Sequence, residues 1–451
     1  EIMPSLVGSE MCIRDRFWMF FFIHRLSDHY MIVAAAFNFV TLIAAVIIVN
    51  KNGNPMVKMA WIVPILVFPL FGGILYFLSG GKAPKKKLRR ALETSRQGLA
   101  PFSVGNASPD DIVTEQMRCR VGDADVAGQC HYLERQGFPL YRNTDARYYA
   151  DCKAGWNRML EDLRGAERFI FLEYFIIREG IMWNAVLDIL TEKAAAGVDV
   201  RLLYDDFGCI TCLPRDYVKQ MEARGIRCTA FNRYRPVYSV VMNHRDHRKI
   251  VVIDGEIAYT GGMNIADYYI NGLPKIGKWH DMHIHLEGDA VRYLQGIFLT
   301  MWNRETGQHV GGPAYFPDTQ QLPDSIAEEI AIVDRTPRET PRSISHAYAA
   351  SIQAAQKSIR IVNPYFVPTK SIRKAIKNAL KKGTEVEIMI PAVSDIAFTP
   401  DASFYIAHKL MKKGAKVYLF NGGFHHSKIM MVDRNFCTVG TANLNSRSLR
   451  Y

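Results

Sequence analysis

The longest apolar segments of the chain lie near its N-terminus. Tyr30–Asn50 and Met59–Leu78 are almost uninterrupted apolar sequence, and each reaches the roughly 20 residues that an α-helix needs to cross a bilayer. Lys51–Pro55 between them has the composition of a turn. The pattern predicts a transmembrane helical hairpin within residues 17–81. A cleaved signal peptide with one anchor fits less well, because the first segment is longer than a signal peptide's apolar region and no small-residue cleavage site stands out.

Beyond Ala146 the apolar runs are shorter, and helix-like stretches alternate with strand-like ones. Helices are predicted at Trp183–Ala196, His346–Gln356 and Ser371–Lys382, and strands at Phe169–Ile177, Val198–Tyr204, Ser358–Val367 and Thr384–Ile390. This alternation predicts an α/β protein in which helices flank the sheets. Because the order repeats, we expect two similar domains, at residues 136–320 and 321–451.

Basic residues exceed acidic ones by 56 to 44, a formal net charge of +12. Much of the excess directly follows the second apolar segment, at Lys82, Lys85, Lys86, Lys87, Arg89 and Arg90. The turn of the predicted hairpin carries fewer charges, so the positive-inside rule places this cluster, and everything after it, in the cytoplasm. Residues 82–135 are predicted to be a basic cluster and linker. A basic surface suits acidic lipid headgroups and nucleic acid equally well.

One motif occurs twice with identical internal spacing. The first copy is His247-x-Lys249-x4-Asp254, followed by Gly261-Gly262-x-Asn264, and the second is His426-x-Lys428-x4-Asp433, followed by Gly440-Thr441-x-Asn443. A single H-x-K match would be weak, because short motifs recur by chance. Two copies that agree at five residue types predict a composite active site, built from two half-sites around a pseudo-two-fold axis.

The motif suits phosphate chemistry. A histidine and a lysine two residues apart project from the same face of a strand. Lysine ammonium groups and asparagine amides can hold phosphoryl oxygens, while one histidine attacks phosphorus and the other protonates the leaving oxygen. Two buried strands with incidental polar residues are a poor alternative, since burying unpaired lysines is costly.

These motifs resemble those of the phospholipase D superfamily, and within it the chain resembles the bacterial cardiolipin synthases. The supporting segments are the predicted hairpin, Leu172–Phe175, Asn363–Pro368 and Asn445–Ser448. The resemblance implies two phospholipase D-like α/β sandwich domains that form a pseudo-two-fold pair. It also implies a phosphatidyltransferase of the bacterial inner membrane that needs no metal and no cofactor.

The resemblance also assigns roles to the motif residues. His247 would be the nucleophile and His426 the general acid and then the base, although the residues themselves leave the reverse order open. Lys249, Lys428, Asn264 and Asn443 would hold the phosphate. Asp254 and Asp433 complete the motif, and we expect them to be more structural than chemical.

A carboxylate usually fixes the tautomer of a catalytic histidine. By resemblance, Asp281 is expected to serve His247, and the acid for His426 is expected beyond Tyr451. The second domain is accordingly predicted to be truncated at its C-terminus. Residues 1–16 are unlike the rest of the chain and are interpreted as a foreign N-terminus.

Other candidate sites are weaker. The eight cysteines are scattered, and the lone Cys209-x-x-Cys212 pair more often occurs by chance than as a zinc or redox site. His283 and His285 would share one strand face, but no acidic cluster accompanies them. We expect a metal-free site.

The expected substrates are phosphatidylglycerol and other membrane lipids. A phospholipase, a related phosphatidyltransferase and a membrane-tethered nuclease remain alternatives. The predicted hairpin favours lipid over nucleic acid, for which no basic groove with interleaved aromatic residues is visible. The sequence leaves the acceptor alcohol and the oligomeric state open.

Overall fold

The computed structural model describes residues 35–36, 39–50, 55–68, 72, 76, 86–105, 126–234, 245–272, 276–323, 328–334, 343–396, 399–434, 436–445 and 448–449. The chain divides into two units, Glu1–Ala83 with Pro236–Val241, and Pro84–Arg235 with Met242–Tyr451. Both copies of the repeated motif belong to the second unit.

The first unit contains helical residues 39–50 and a helix at Pro55–Val67. Many of its apolar side chains are exposed, including Phe39, Leu42, Val63 and Leu66. Within the described ranges, none of the helices has both the length and the apolar character needed to cross a membrane. The predicted hairpin falls partly on residues outside those described, and residues 1–16 lie outside them entirely.

The first motif lies in an eight-stranded mixed sheet with the strand order β4-β3-β2-β5-β6-β8-β1-β9. Its strands are β1 Leu140–Tyr149, β2 Phe169–Tyr174, β3 Asp199–Asp205, β4 Arg227–Phe231, β5 Lys249–Ile253, β6 Ile257–Gly261, β8 His283–Gly288 and β9 Glu328–Ala331. β2, β3 and β4 are parallel, and β5 joins them antiparallel to β2. Every residue of β2 and β5 is buried, because helices cover both faces of the sheet.

The second motif lies in a five-stranded sheet with the order β12-β11-β10-β14-β15. Its strands are β10 Ser358–Val362, β11 Glu385–Pro391, β12 Lys416–Phe420, β14 Ile429–Val432 and β15 Phe436–Val439. Three parallel strands again meet an antiparallel strand that carries the motif. The strand order around the motif is therefore the same in both sheets, which confirms two similar α/β domains.

Helices of the second unit pack on the sheets around apolar cores. They lie at Lys86–Leu99, Val126–Arg135, Cys152–Gly165, Ile181–Ala195, Asp206–Cys209, Tyr217–Glu222, Val291–Thr306, Ser343–Ala354, Lys370–Lys381 and Thr399–Met411, with short 3₁₀ turns at Ala100–Phe102, Asp267–Ile270 and Pro313–Tyr315. One core lies on each face of the first sheet and another in the second domain. The predicted helices at Trp183–Ala196, His346–Gln356 and Ser371–Lys382 are present, with ends shifted by one to three residues.

Two predicted boundaries differ from the structure. Residues 82–135, predicted as a linker, contain the helices Lys86–Leu99 and Val126–Arg135, and Leu92 and Leu99 of the former enter the core beside Val291–Thr306. Residues 328–331, predicted to belong to the second domain, form β9 at the edge of the first sheet, paired with β1. In a strand of four residues, the alternation of polar and apolar positions is too short to indicate which sheet the strand joins.

The two domains meet in a small parallel ladder. β7 Trp279–His280 pairs with β13 Phe424–His425. The backbone N–H of His426 also donates to the carbonyl of His280 at 2.6 Å. These bonds bring a loop of the first domain directly against the second motif.

Candidate active site

The two motif strands bring both histidines and both lysines into one buried site. Lys249 begins β5 and Lys428 immediately precedes β14, so each H-x-K segment lies at the same end of its sheet. Lys249 is 2% exposed and Lys428 is fully buried. Each ammonium group donates to the backbone carbonyl of the histidine two residues before it. The two halves therefore present the same pair of side chains in the same local geometry.

His426 is oriented by a carboxylate from the other domain. Its Nδ1 lies 2.6 Å from Oδ2 of Asp281, and both residues are buried. Nδ1 also lies 2.8 Å from Nζ of Lys428. Because an ionised carboxylate only accepts, we place the Nδ1 proton toward Asp281. This leaves Nε2 of His426 as the nitrogen that can exchange a proton with a substrate.

The charges in the site shift the pKa values of its groups. Burial and Lys428 lower the pKa of His426 to about 4, although Asp281 acts in the opposite direction. Burial lowers the pKa of Lys428 to about 8, against the pull of Asp281. Burial alone would raise the pKa of Asp281, but Lys428 and His426 outweigh it and the pKa is lowered. An ionised Asp281 beside a neutral His426 is the state that these directions favour.

His247 has a hydroxyl partner instead of a carboxylate. Its Nδ1 lies 2.9 Å from Oγ1 of Thr441, and the same hydroxyl lies 2.7 Å from the carbonyl oxygen of His247. Nζ of Lys249 approaches Nδ1 at 3.3 Å. Burial, followed by the charges of Lys249 and Lys428, holds the pKa of His247 well below its usual value. The pKa of Lys249 is also lowered, first by burial and then by Lys428.

The partners of the two histidines depend on two equivalent segments, which follow β6 and β15. Thr441 occupies the position in the second motif that Gly262 occupies in the first. Gly262 leaves room for Asp281, since a Cβ at this position would overlap Oδ1 of that carboxylate. The segments that follow β6 and β15 therefore each act on the histidine of the other half, Gly262 by leaving room for Asp281 and Thr441 through its own hydroxyl.

The prediction that Asp281 orients His247 was wrong. The sequence assigned Asp281 to His247 and placed the acid for His426 beyond Tyr451, whereas the structure pairs Asp281 with His426. Spacing along the chain had suggested a partner within the same domain. The pairing instead joins the two domains, because β7 pairs with β13 next to His426. Thr441 was missed as a partner of His247, although its departure from Gly262 in the repeat was a visible signal.

The motif aspartates lie at the far ends of their strands from the histidines. Asp254 accepts from the backbone N–H groups of Glu167, Arg168 and Phe169, each at 2.8 Å. Asp433 accepts in the same way from Gln356, Lys357 and Ser358 at 2.7–2.8 Å. Both residues have φ near +54°, a conformation that aspartate tolerates better than most residues. Their contacts tie each motif strand to the strand beside it.

The two asparagines are buried close to the site. Asn264 accepts from the N–H of Ile176 at 3.0 Å and donates to the hydroxyl of Tyr269 at 2.8 Å. These bonds position the loop after β2 and leave one amide hydrogen for another acceptor. Oδ1 of Asn443 is buried and has no hydrogen-bond partner within the described chain. We propose phosphate contacts for both residues, with Asn443 the less constrained by protein partners.

Aromatic rings line the site on both sides. Phe175 contacts the ring of His247 at a centroid distance of 4.8 Å, and Lys249 lies 5.3 Å from the centroid of the same ring. Around His426, the rings of Trp279 and Tyr365 lie at 5.4 and 5.9 Å. These walls exclude water and strengthen the electrostatic interactions inside the site.

The weaker candidates lie apart from this chemistry. His283 and His285 pack against the ring of Tyr259. Among the residues that the structure describes, no group of three or more His, Cys, Asp or Glu residues could hold a metal ion. Cys209 is buried and Cys212 is partly exposed, and the structure shows both as free thiols.

A buried pair of histidines and lysines on this doubled α/β fold defines a phospholipase D-like enzyme. Residues 159–301 and 348–451 match the family model described as "Cardiolipin synthase, PLD-like domain", and residues 39–81 match "Phospholipase_D-nuclease N-terminal". The chain is 32% identical over 422 residues to a cardiolipin synthase of Alkalihalophilus pseudofirmus, covering 92% of this chain and 82% of the relative. It is also 32% identical to an uncharacterized protein of Streptococcus mutans, covering 89% and 86% of the two chains.

Among solved structures, phosphatidylserine synthase of Haemophilus influenzae matches with a TM-score of 0.53 at 13% identity, covering 71% of this chain and 84% of that one. That likeness supports the fold. Together with the family model, the relatives place this chain in the cardiolipin synthase family of phospholipase D-like proteins.

Proposed function

We propose that the chain is a cardiolipin synthase that transfers a phosphatidyl group from one phosphatidylglycerol molecule to another. The observation that carries the proposal is the composite site, in which two histidines have different partners, Asp281 for His426 and Thr441 for His247. Family membership supplies the substrate class. Glycerol and cardiolipin would be the products.

In the first step, His247 would attack the phosphodiester. Its Nδ1 faces Thr441, so Nε2 is the nitrogen available to form the bond to phosphorus. His426 would give a proton from Nε2 to the departing glycerol oxygen as the P–O bond breaks. The negative charge of a bound phosphodiester favours this protonated state of His426. A phosphatidyl-histidine intermediate and free glycerol result.

In the second step, a hydroxyl of another phosphatidylglycerol would resolve the intermediate. His426 removes the hydroxyl proton, the oxygen attacks phosphorus and the P–N bond breaks. His426 suits this exchange because ionised Asp281 stabilises the imidazolium that forms. Lys249 and Lys428 would stabilise the charge that develops on the phosphoryl oxygens.

We also propose that residues 17–81 form a membrane hairpin that keeps both catalytic domains at the cytoplasmic surface of the bilayer. Its two apolar segments, the basic cluster after them and the family match over residues 39–81 support this placement. The net charge of +12 suits an anionic lipid surface. Phosphatidylglycerol would then reach the site from the membrane.

The test is incubation of the protein with phosphatidylglycerol in mixed micelles, followed by lipid analysis. We expect cardiolipin and glycerol from the parent chain and none above background from His247→Ala or His426→Ala, since each histidine serves a distinct proton or phosphorus transfer. His309 is exposed, so His309→Ala is a matched control that should retain activity. Phosphatidic acid as the main product would indicate a phospholipase instead.

Mass spectrometry distinguishes the two histidine roles. In His426→Ala supplied with phosphatidyl-p-nitrophenol, whose leaving group needs no acid, a phosphatidyl adduct should accumulate on His247, because the intermediate then lacks its base. An adduct on His426 in the His247→Ala variant would exchange the roles. Substantial transfer by either variant would contradict the composite site.

A further inference from the structure

The loop after β11 brings a carboxylate to the His426 side of the site. The hydroxyl of Tyr365 donates to Oδ1 of Asp395 at 2.5 Å. Tyr365 is 6% exposed, and its ring lies against that of His426. Asp395 itself is exposed. A buried tyrosine thus holds an exposed carboxylate one side chain away from the proposed acid and base.

The charge of Asp395 reaches the catalytic groups. It acts to raise the pKa of both His426 and Lys428, against the dominant effect of burial. A carboxylate in this position opposes the binding of an anionic phosphodiester, since like charges repel. Carboxylates are good acceptors for hydroxyl donors, as the bond from Tyr365 illustrates, and the two oxygens of Asp395 can accept more than one such bond.

At the position of the first domain that corresponds to Asp395, ten residues after the start of the strand, lies Cys209. After β3, Cys209 approaches the backbone of the loop that carries Phe175, with its Sγ 3.3 Å from the N–H of Ile177 and 3.6 Å from the carbonyl oxygen of Phe175. At this position the His247 side therefore presents a thiol, and the carboxylates that act on Lys249 besides Asp281 are the buried Asp246 and Asp205. The His426 side is lined by a tyrosine hydroxyl and a carboxylate, so the two sides differ in what they can bind.

We propose that Asp395, held by Tyr365, binds the glycerol hydroxyls of the lipid headgroup beside His426 and so selects a polyol acceptor. This inference rests on the proposed function. In that reaction His426 meets the leaving glycerol in the first step and the incoming glycerol headgroup in the second. One binding site for hydroxyl groups beside His426 therefore serves both steps. An alcohol with a single hydroxyl forms fewer hydrogen bonds there and binds less tightly.

The test uses phosphatidyl-p-nitrophenol as donor, because its leaving group carries no glycerol. Glycerol and 1-propanol at fixed concentrations then compete for the intermediate, and the ratio of phosphatidylglycerol to phosphatidylpropanol reports selectivity independently of the amount of active enzyme. We expect Asp395→Ala to lower this ratio roughly 10-fold, the effect of losing a hydrogen bond to a charged group. Tyr365→Phe should lower it in the same direction, since Asp395 loses its anchor.

Asp401 provides the matched control, since it is an exposed aspartate six residues further along the same segment. Asp401→Ala should keep the parent ratio. A ratio in Asp395→Ala within about twofold of the parent value would overturn this binding site for hydroxyl groups and leave the proposed function standing. If the parent chain releases no p-nitrophenol and forms neither product, the proposed function fails, and this inference fails with it.

Discussion

In the segments that follow β6 and β15, Gly262 of the first copy corresponds to Thr441 of the second, and this difference decides the partner of each histidine. Gly262 makes room for Asp281, which contacts His426, whereas Thr441 places its own hydroxyl on His247. A carboxylate stabilises an imidazolium much better than a hydroxyl does. This asymmetry favours His426 as the residue that exchanges protons.

Gly262→Ala should therefore impair catalysis through Asp281. The added methyl group would displace the carboxylate and remove the orienting bond to His426. We expect phosphatidyl transfer to fall roughly 100-fold or more, by analogy with the loss of an orienting carboxylate in a catalytic triad. Steady-state rates on phosphatidylglycerol provide the measurement.

Gly440 is the matched control, because it belongs to the equivalent turn and a Cβ there would meet no atom within 4 Å. Gly440→Ala should keep the parent rate within a few-fold. If Gly262→Ala turned over as fast as Gly440→Ala, then Asp281 would not orient His426 in the working enzyme.

His283 makes stability depend on pH. Burial lowers its pKa to about 4, whereas an unfolded histidine titrates near pH 6.5. Between these values the unfolded chain binds the proton and the folded chain does not, so this residue's contribution to stability is full above pH 6.5 and declines as the pH falls toward 4.

Replacing His283 with glutamine should remove this contribution to the pH dependence. Relative to the variant, the parent chain should lose about 2 kcal/mol of unfolding free energy between pH 7 and pH 5. Urea unfolding of both proteins in detergent at the two pH values measures the difference, in which all other titrating groups cancel. A pH-independent difference would mean that His283 has the same pKa in the folded and the unfolded chain, which would contradict the effect of burial.

At the scale of elements, the sequence predicted the helices and strands around the site but could not predict how the elements pair across domains. The apolar runs that form β2 and β5 were correctly predicted because both strands are buried on both faces, and β14 was predicted although its residues alternate between buried and partly exposed. The partner of Asp281 depends on the β7–β13 ladder, which joins two strands of only two residues each. A strand of two residues is too short to show an alternation of polar and apolar positions in the sequence. Its pairing is set by tertiary packing.

We expect the motif aspartates to stabilise the pairing of strands more than to contact the substrate. Asp254 and Asp433 each accept three backbone N–H groups from the segment that begins the neighbouring strand. Replacing Asp254 with alanine would leave these donors without their acceptor and put alanine at a positive φ. We expect a loss of roughly 3 kcal/mol in unfolding free energy.

Measuring the phosphatidyl adduct distinguishes a loss of stability in Asp254→Ala from a loss of catalysis. At a temperature where Asp254→Ala remains folded, the fraction of protein that forms a phosphatidyl adduct should match that of the parent. Thermal unfolding gives the stability, and mass spectrometry gives the adduct. A variant of parental stability that forms no adduct would assign Asp254 to the chemistry instead.

At the scale of the whole molecule, one chain supplies both halves of the site. His426 contacts Asp281 and His247 contacts Thr441 within the same chain. The two single-histidine variants should therefore fail to complement each other. Cells or micelles containing both His247→Ala and His426→Ala should make no more cardiolipin than either variant alone, measured against equal amounts of the parent chain. Recovery of activity in the mixture would show that the site forms between two chains.

The bond from Asp281 to His426 also depends on the docking of the two domains. It exists only when the ladder between β7 and β13 has closed, so a chain with one folded domain holds a histidine and a lysine but no oriented base. Under the proposed function, such a chain has no base to resolve a phosphatidyl-histidine. The protein therefore acquires its full reactivity only when its two domains dock.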